Sequence, residues 1–506
     1  MRSFPAQILR DQSANCGYHK ASGYSQGSCG NSVVRYFHWA TLLILLPALF
    51  SGQASQADEL RAGFAERDIT PEVGRDKPAV WLAGYSFGRK ASGVHDPLLV
   101  RVLVLAHGDE KLAFASADLI GLQYDATLRV RAELQDFKLV KLASTHNHEG
   151  PDVIGIWGQT PVSRGVNDDY VTRVIEQTIA AIREAEKNLV VVSAAYGTAE
   201  DETLLDDSRL PVVKDGVLRA LKFSARDGKT AGLVVQWNSH PEALGARNKQ
   251  ISADFPAATV AWLKEKYTCP VLYLSGAVGG LMAPPDDRIR DAEGKMLGEG
   301  SYEYSQALGE ETARLAAKAI EAAEPITLTP FNVALQRIAV PLENKLYRLA
   351  SNLGVLQREG RQWLGDATKL GEVVLESQEG QEVAIVSEVS CMKLGELAVA
   401  NLPGELYPEL VYGKFQEPID PGADFLDAPL EPTVVDILPS KKWLLLGLAS
   451  DEIGYVLPKR QWDRKPPYCY GRTKAQYGEI NSCGPDTAPI VMKALADCAQ
   501  QLTKAE

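Results

Sequence analysis

An α/β fold, with mixed β-sheets flanked by helices in one large domain, follows from three observations on the 506-residue chain. Apolar, strand-like runs alternate with amphipathic stretches of helical period from residue 58 onward. Neither an internal repeat nor a low-complexity linker interrupts them, so one unit rather than a string of modules is expected. The composition, 45% apolar and 23% charged, is that of a globular protein and excludes a disordered or collagen-like chain.

Taken in order, strands are expected at Leu98 to Ala106 and Lys111 to Ser116, joined by the hairpin turn His107-Gly-Asp109, and then at Leu139 to Ser144 and Leu189 to Tyr196. Between the last two, Asp168 to Lys187 places Val171, Val174, Ile175, Ile182 and Ala185 at the spacing of an amphipathic helix. Val234 to Trp237 ends another apolar strand. Ala253 to Lys266 is a second helix, leading into the buried-strand run Pro270 to Leu274, and Tyr304 to Ala323 is a third. A polar helical segment is expected near Glu343 to Thr368. Strands follow at Glu382 to Cys391 and Leu397 to Asn401, then an apolar run at Trp443 to Leu448.

Charge narrows the function. The chain holds 53 Lys and Arg against 65 Asp and Glu, a net charge of −12. An acidic chain has no electrostatic footprint for a phosphate backbone or an anionic membrane, so neither is expected as a main partner. Residues 1–38 are polar, and Ala40 to Phe50 is an apolar core followed by the small, polar Ser51 to Ala57. That order is a leader of signal-peptide type over residues 1–57, cut after Ala54 or Ala57, which makes residues 58–506 an exported, periplasmic or extracellular domain. Eleven apolar residues span about half a bilayer, and no other run is longer, so no stable membrane span is expected once the leader is removed. Export permits disulfides. Of Cys269, Cys391, Cys469, Cys483 and Cys498, the pair Cys469 and Cys483 brackets a loop rich in Tyr, Gly and Asn and is the candidate bridge.

Histidine carries the strongest chemical signal. After residue 57 there are five: His95, His107, His146, His148 and His240. Ser144-Thr-His-Asn-His-Glu-Gly-Pro-Asp152 follows a strand, and residues two apart on a strand share a face about 6.6 Å apart, so His146 and His148 are expected in one pocket. His240, in Asn238-Ser-His-Pro-Glu242, ends another strand, where α/β proteins place their sites. Taken singly each is an ordinary buried or surface imidazole; three at strand ends in a chain this poor in His point to a metal site. Zinc held by two or three His usually takes a carboxylate as well. Two His with oxygen ligands also suit iron or manganese.

Six stretches, in order, resemble the neutral/alkaline non-lysosomal ceramidase family. They are Ala62-Gly-Phe-Ala-Glu-Arg-Asp-Ile-Thr-Pro71, Gly93-Val-His-Asp-Pro-Leu-Leu-Val-Arg101, Thr145-His-Asn-His-Glu-Gly-Pro151, Asn238-Ser-His-Pro241, Leu402-Pro-Gly-Glu405 and Asp451-Glu-Ile-Gly-Tyr-Val456. Together they span roughly residues 60–495, the family's whole catalytic domain, while its C-terminal immunoglobulin-like domain is expected to be absent. The resemblance implies a Zn2+-dependent amidohydrolase acting on a small-molecule or lipid N-acyl substrate, ceramide being the named expectation. It implies zinc held by His146, His240, Glu405 and Tyr455, with His148, Arg209 and Tyr455 as catalytic or substrate-facing groups. One departure matters. The family's Ser, in a G-D-V-S-P-N turn, falls on Met282 of Gly276-Ala-Val-Gly-Gly-Leu-Met-Ala-Pro284, with Gly280 at the Asp position. Met282 keeps open a zinc hydrolase of another ester, lactone or amide, and a non-catalytic metal- or ligand-binding homologue.

Overall fold

The computed structural model of the chain describes residues 59–504, apart from positions 281, 292, 376, 377 and 379. The leader expected at residues 1–57 lies outside the described residues. Two mixed sheets build the fold. In the first, β1 (Arg61–Asp68), β2 (Leu99–His107), β3 (Glu110–Ala117), β4 (Leu139–Ser144), β5 (Val190–Glu200), β6 (Val217–Ala225), β7 (Thr230–Trp237) and β8 (Val271–Ser275) lie in the order β8-β7-β6-β5-β1-β2-β3-β4, and β9 (Glu324–Ile326) adds to β5. The pairs β8–β7 and β3–β4 are parallel and the others antiparallel. The second sheet runs β12 (Val373–Val374), β11 (Gly360–Gln362), β13 (Val383–Leu394), β14 (Leu397–Asn401) and β15 (Lys442–Leu446), with β10 (Phe331–Pro341) paired to β13.

Strand sequences show why the sheets stack. Alternate residues point to opposite faces, and here both faces are apolar. Leu103 and Leu105 of β2, Leu272 and Leu274 of β8, Val399 of β14, and Leu444 and Leu446 of β15 share one core between the two sheets. On the opposite face of the first sheet, Val100, Val102 and Val104 of β2 share a core with α1 (Tyr124–Ala132) and α2 (Asp168–Lys187), while Val271 and Tyr273 of β8 meet α3 (Phe255–Tyr267) and α4 (Tyr302–Glu321). Ala398, Ala400, Trp443 and Leu445 face the C-terminal helix Thr487–Lys504. The layers are therefore helix, sheet, sheet, helix. Double burial explains why these strands read as continuous apolar runs rather than alternating ones.

Local signals fix the helices. Asn167 caps α2 by accepting from the amides of Asp169 and Tyr170, and Asp168 and Asp169 sit at its positive end. Its buried stripe of Val174, Ile175 and Ile182 contributes about 1.5–3 kcal/mol per side chain. Gly63 of β1 lets this helix approach: a Cβ there would lie 2.0 Å from the Ala185 carbonyl oxygen.

Three expectations change. The helix expected over Glu343 to Thr368 is only α5 (Lys345–Asn352), after Asn344 caps it; no α5 residue is buried, and the chain then enters β11. Leu346, Leu349 and Leu353 are exposed, so no buried apolar face holds further turns. Cys469 and Cys483 are not bridged; among the described residues all five cysteines are free, buried thiols. Finally β4 stops at Ser144, so His146 and His148 lie in a loop rather than on a pleated strand. Among the described residues no helix is long and apolar enough to cross a membrane.

Candidate metal centre

His146 sits two residues beyond β4 with φ +67°, a left-handed backbone that a non-glycine residue adopts only where its surroundings enforce it. The enforcement is visible. Asn147 donates to the carbonyls of Asp118 (3.2 Å) and Ser252 (2.7 Å) and accepts from the Glu149 amide, and Glu149 is ion-paired with buried Arg89 at 2.6 Å. The Ser275 hydroxyl donates to the Thr145 carbonyl at 2.8 Å. That bond commits Ser275 to the scaffold.

The loop turns His146 and His148 inward with ring centroids 4.9 Å apart, and His240, three residues beyond β7, lies 4.8 Å from His146 and 5.6 Å from His148. One ring nitrogen from each falls within 4.8 Å of the others. All three are buried. Nδ1 of His146 meets the Ile120 carbonyl at 2.7 Å, and Nδ1 of His240 meets that of Met282 at 2.9 Å. A carbonyl only accepts, so both rings carry a proton on Nδ1 and turn Nε2 toward the site. Both Nε2 atoms then converge on Glu405 Oε2, at 3.2 and 2.9 Å.

Glu405 is held by a short parallel pairing of Glu405–Leu406 with Tyr455–Val456, in which Glu405 lies opposite Tyr455. Burial opposes the His146 cation, but the Glu405 carboxylate outweighs it and holds that imidazole above its ordinary value. Burial, then the Glu405 charge, keeps the Tyr455 phenol protonated. For His148 burial wins over the neighbouring Glu242 and pushes the ring down to about 4, so it is neutral at neutral pH. Its Nδ1 lies 2.8 Å from Glu242 Oε1, and its buried Nε2 has no hydrogen-bond partner.

These groups form the polar end of a cavity of about 850 Å³. His146, His148, Glu242, Glu405, Glu452, Tyr455 and Tyr477 line it, and the rest of the wall is largely apolar, including Phe87, Ile154, Trp157, Leu342, Leu356 and Ile385. The donor set fits a divalent ion: two imidazoles locked in the right tautomer by backbone carbonyls, one carboxylate between them, and a third imidazole whose Nε2 is free.

The structure thus brings together His146, His148, His240, Glu405 and Tyr455. Arg209 stands apart from the cavity lining. It is buried, its guanidinium is bound to Glu479 at 2.8 and 3.0 Å and to the carbonyls of Tyr477 and Gln461, and so it braces the segment that carries Tyr477. Met282 serves through its main chain, whose carbonyl takes both the amide (2.8 Å) and Nδ1 of His240, while its side chain packs in the core with Trp237 and Tyr304. Glu242, Glu452 and Tyr477 were not singled out from sequence. Glu242 had a signal in the His-Pro-Glu run, two residues past a candidate ligand.

Superposition on solved structures decides the architecture. The chain matches the neutral ceramidase of Pseudomonas aeruginosa with a TM-score of 0.66, covering 88% of this chain and 75% of that one at 16% identity. The fold is that of the neutral ceramidases. A second structure, of a ceramidase complexed with C2, gives a TM-score of 0.64 at 16% identity, over 88% of this chain and 76% of that one. No protein-family model matches the chain, and no curated protein matches it significantly by sequence. This ceramidase-like fold and the three-histidine cluster, which can hold a metal, are therefore established on geometry rather than on sequence identity.

Proposed function

We propose that the chain is a Zn2+-dependent amide hydrolase whose substrate is an N-acyl lipid of the ceramide type. One observation carries this reading. His146, His240 and Glu405 converge at the polar end of an apolar cavity, with His148 and Tyr455 facing the same space. An acyl chain suits the apolar wall, and its amide then lies against the histidines.

His146, His240 and Glu405 would hold the zinc, with Tyr455 opposite Glu405 as the fourth candidate. Bound there, zinc would supply Lewis-acid polarisation of the scissile carbonyl and a water made nucleophilic near neutral pH. The protein supplies the rest. The protonated Tyr455 hydroxyl donates to the oxygen on which negative charge develops. Neutral His148 accepts a proton at Nε2, the Glu242 carboxylate beside Nδ1 stabilises the resulting imidazolium, and Nε2 returns the proton to the departing nitrogen. This acid–base route requires no serine, which accommodates Met282. The apolar wall excludes bulk water and strengthens each of these contacts.

The reading also takes residues 1–57 as an export leader and residues 58–506 as the catalytic unit outside the cytoplasm; N-terminal sequencing of the exported protein after Ala54 or Ala57 tests that. Function is tested by metal content and by turnover of a fluorescent N-acyl sphingosine on purified residues 58–506. One zinc per chain with chelator-sensitive cleavage is expected. Absence of bound metal after zinc loading would overturn the site, and zinc without cleavage would overturn the substrate.

A further inference from the structure

Two strained residues flank the metal centre. One is His146; the other is Asp254, just ahead of α3, with φ +54°. Asp254 and the two residues before it stand apart from the cavity lining, yet this segment touches both histidine loops. The Ser252 carbonyl accepts from Nδ2 of Asn147, the residue between His146 and His148, at 2.7 Å. Asp254 Oδ2 accepts from the amide of Leu244, in the loop beyond His240, at 3.1 Å. The Asp254 amide donates to the Ser252 hydroxyl at 3.0 Å and so closes the segment on itself.

The segment is in turn held from outside. Asp96 Oδ1 accepts from the Ala253 amide at 2.7 Å, and Oδ2 accepts from the Ser252 hydroxyl. Asp96 belongs to the stretch 93–101, and the short parallel pairing of Gly93–Val94 with Gln250–Ile251 brings it there. The far end of that stretch serves the same asparagine. Arg101 is bound to both carboxyl oxygens of Asp118 at 2.7 and 2.8 Å, and the Asp118 carbonyl takes the other Nδ2 contact of Asn147 at 3.2 Å. A non-glycine residue stays at a positive φ only where its surroundings over-determine it. Ligands carried on two separate loops likewise keep a fixed spacing only if groups behind them set it.

We propose that Asp96 is a positioning residue for the metal centre. By anchoring residues 252–254 it fixes the spacing of the loop of His146 and His148 against the loop of His240, and so sets how tightly the site holds a divalent ion. The inference rests on the metal-site reading behind the proposed hydrolase, and it is read out by metal affinity, independently of turnover.

Zinc affinity is measured by competition with a chromogenic chelator, and the visible absorption of the Co2+-loaded protein reports the ligand geometry. Asp96→Ala is expected to weaken zinc binding about 10–100-fold, the range for groups that orient metal ligands from behind, and to change the Co2+ spectrum. Asp96→Asn keeps an acceptor for the Ala253 amide and is expected to recover part of that affinity. Ser252→Ala, which cuts one link of the same bracket, is expected to cost about fivefold, the worth of one hydrogen bond. Zinc affinity and Co2+ spectrum both unchanged in folded Asp96→Ala overturn the proposal. Should Asp96→Ala fail to fold, unchanged affinity in Ser252→Ala overturns it as well. A wild-type protein that takes up no zinc overturns the metal reading together with this one, whereas zinc held equally by all four proteins overturns the positioning role alone.

Discussion

Replacing Glu388 by Gln should cost about 3–5 kcal/mol of stability and loosen the histidine loop. Glu388, on β13 of the second sheet, is 1% exposed and accepts from both amino groups of Arg131 at 2.7 Å, from Lys141 Nζ at 2.7 Å and from the Tyr124 hydroxyl at 3.0 Å. Lys141, also 1% exposed, belongs to β4, the strand that feeds His146. Ser450, just ahead of the Tyr455 segment, contacts Lys141 at 3.3 Å and accepts from Arg131 at 3.4 Å. Removing the carboxylate strands two cations in the interior, and breaking a buried pair in this way costs about 3–5 kcal/mol. Arg131 is partly exposed and recovers some hydration, which places the expectation near the lower figure. Lys141→Met should cost less, because the bidentate Arg131–Glu388 contact survives. Exchanging all three for apolar residues of similar volume should recover most of the loss. Urea unfolding of the three variants, with zinc affinity measured alongside, makes the comparison. A Glu388→Gln loss under about 1 kcal/mol would refute the reasoning.

The same carboxylate sets an acid limit. Burial penalises its charge, but Lys141 and Arg131 outweigh that and hold Glu388 well below 4.5; because its folded value is depressed, the stability it gives is present above that pH and drains away below it as the unfolded chain takes the proton first. The urea midpoint should therefore fall as the pH drops below about 4.5, and less steeply in Glu388→Gln. His148→Ala should retain its zinc while turnover drops about 10²–10⁴-fold, whereas His146→Ala should lose both; metal analysis beside initial rates separates the two. Tyr455→Phe should cut kcat by about 10²–10³-fold with little change in KM, and an unchanged kcat would remove the tyrosine from the reaction. The five cysteines after residue 57 should resist a thiol reagent in the native protein and all react in denaturant; burial pushes Cys483 up to about 12, which keeps it a thiol.

Much of the scaffold was legible because its strands and helices bury long apolar stretches. Leu139 to Ser144, Asp168 to Lys187 and Leu397 to Asn401 have the bounds expected, and the hairpin at His107-Gly-Asp109 joins β2 and β3 as expected. Segments with weaker signals escaped. Arg61–Asp68 is an interior strand of its sheet yet carries four charges, since its neighbours rather than its own side chains complete it. The convergence of His146 and His148 was legible, but its reason was not: a left-handed residue, not the strand period, turns them together. Glu405 and Tyr455 could be named only through family resemblance, because nothing local marks one carboxylate among dozens. Glu242 and Glu452 became visible only once folding had set them beside a cavity.

The donor set also has a schedule. Its first member comes from residue 146, in the loop after the first sheet's edge strand, and its last from residue 455, beyond the end of β15. Chain closure over such separations is entropically costly and slow, so the cluster is completed late, after the two sheets have docked. A nascent chain that has not yet released Tyr455 presents imidazoles but no finished site. Any ion that binds the finished arrangement alone then favours the fully assembled chain over every partly folded one, by an amount that grows with its free concentration. Metal supply would in this way govern how much of the protein survives maturation as well as how fast it works.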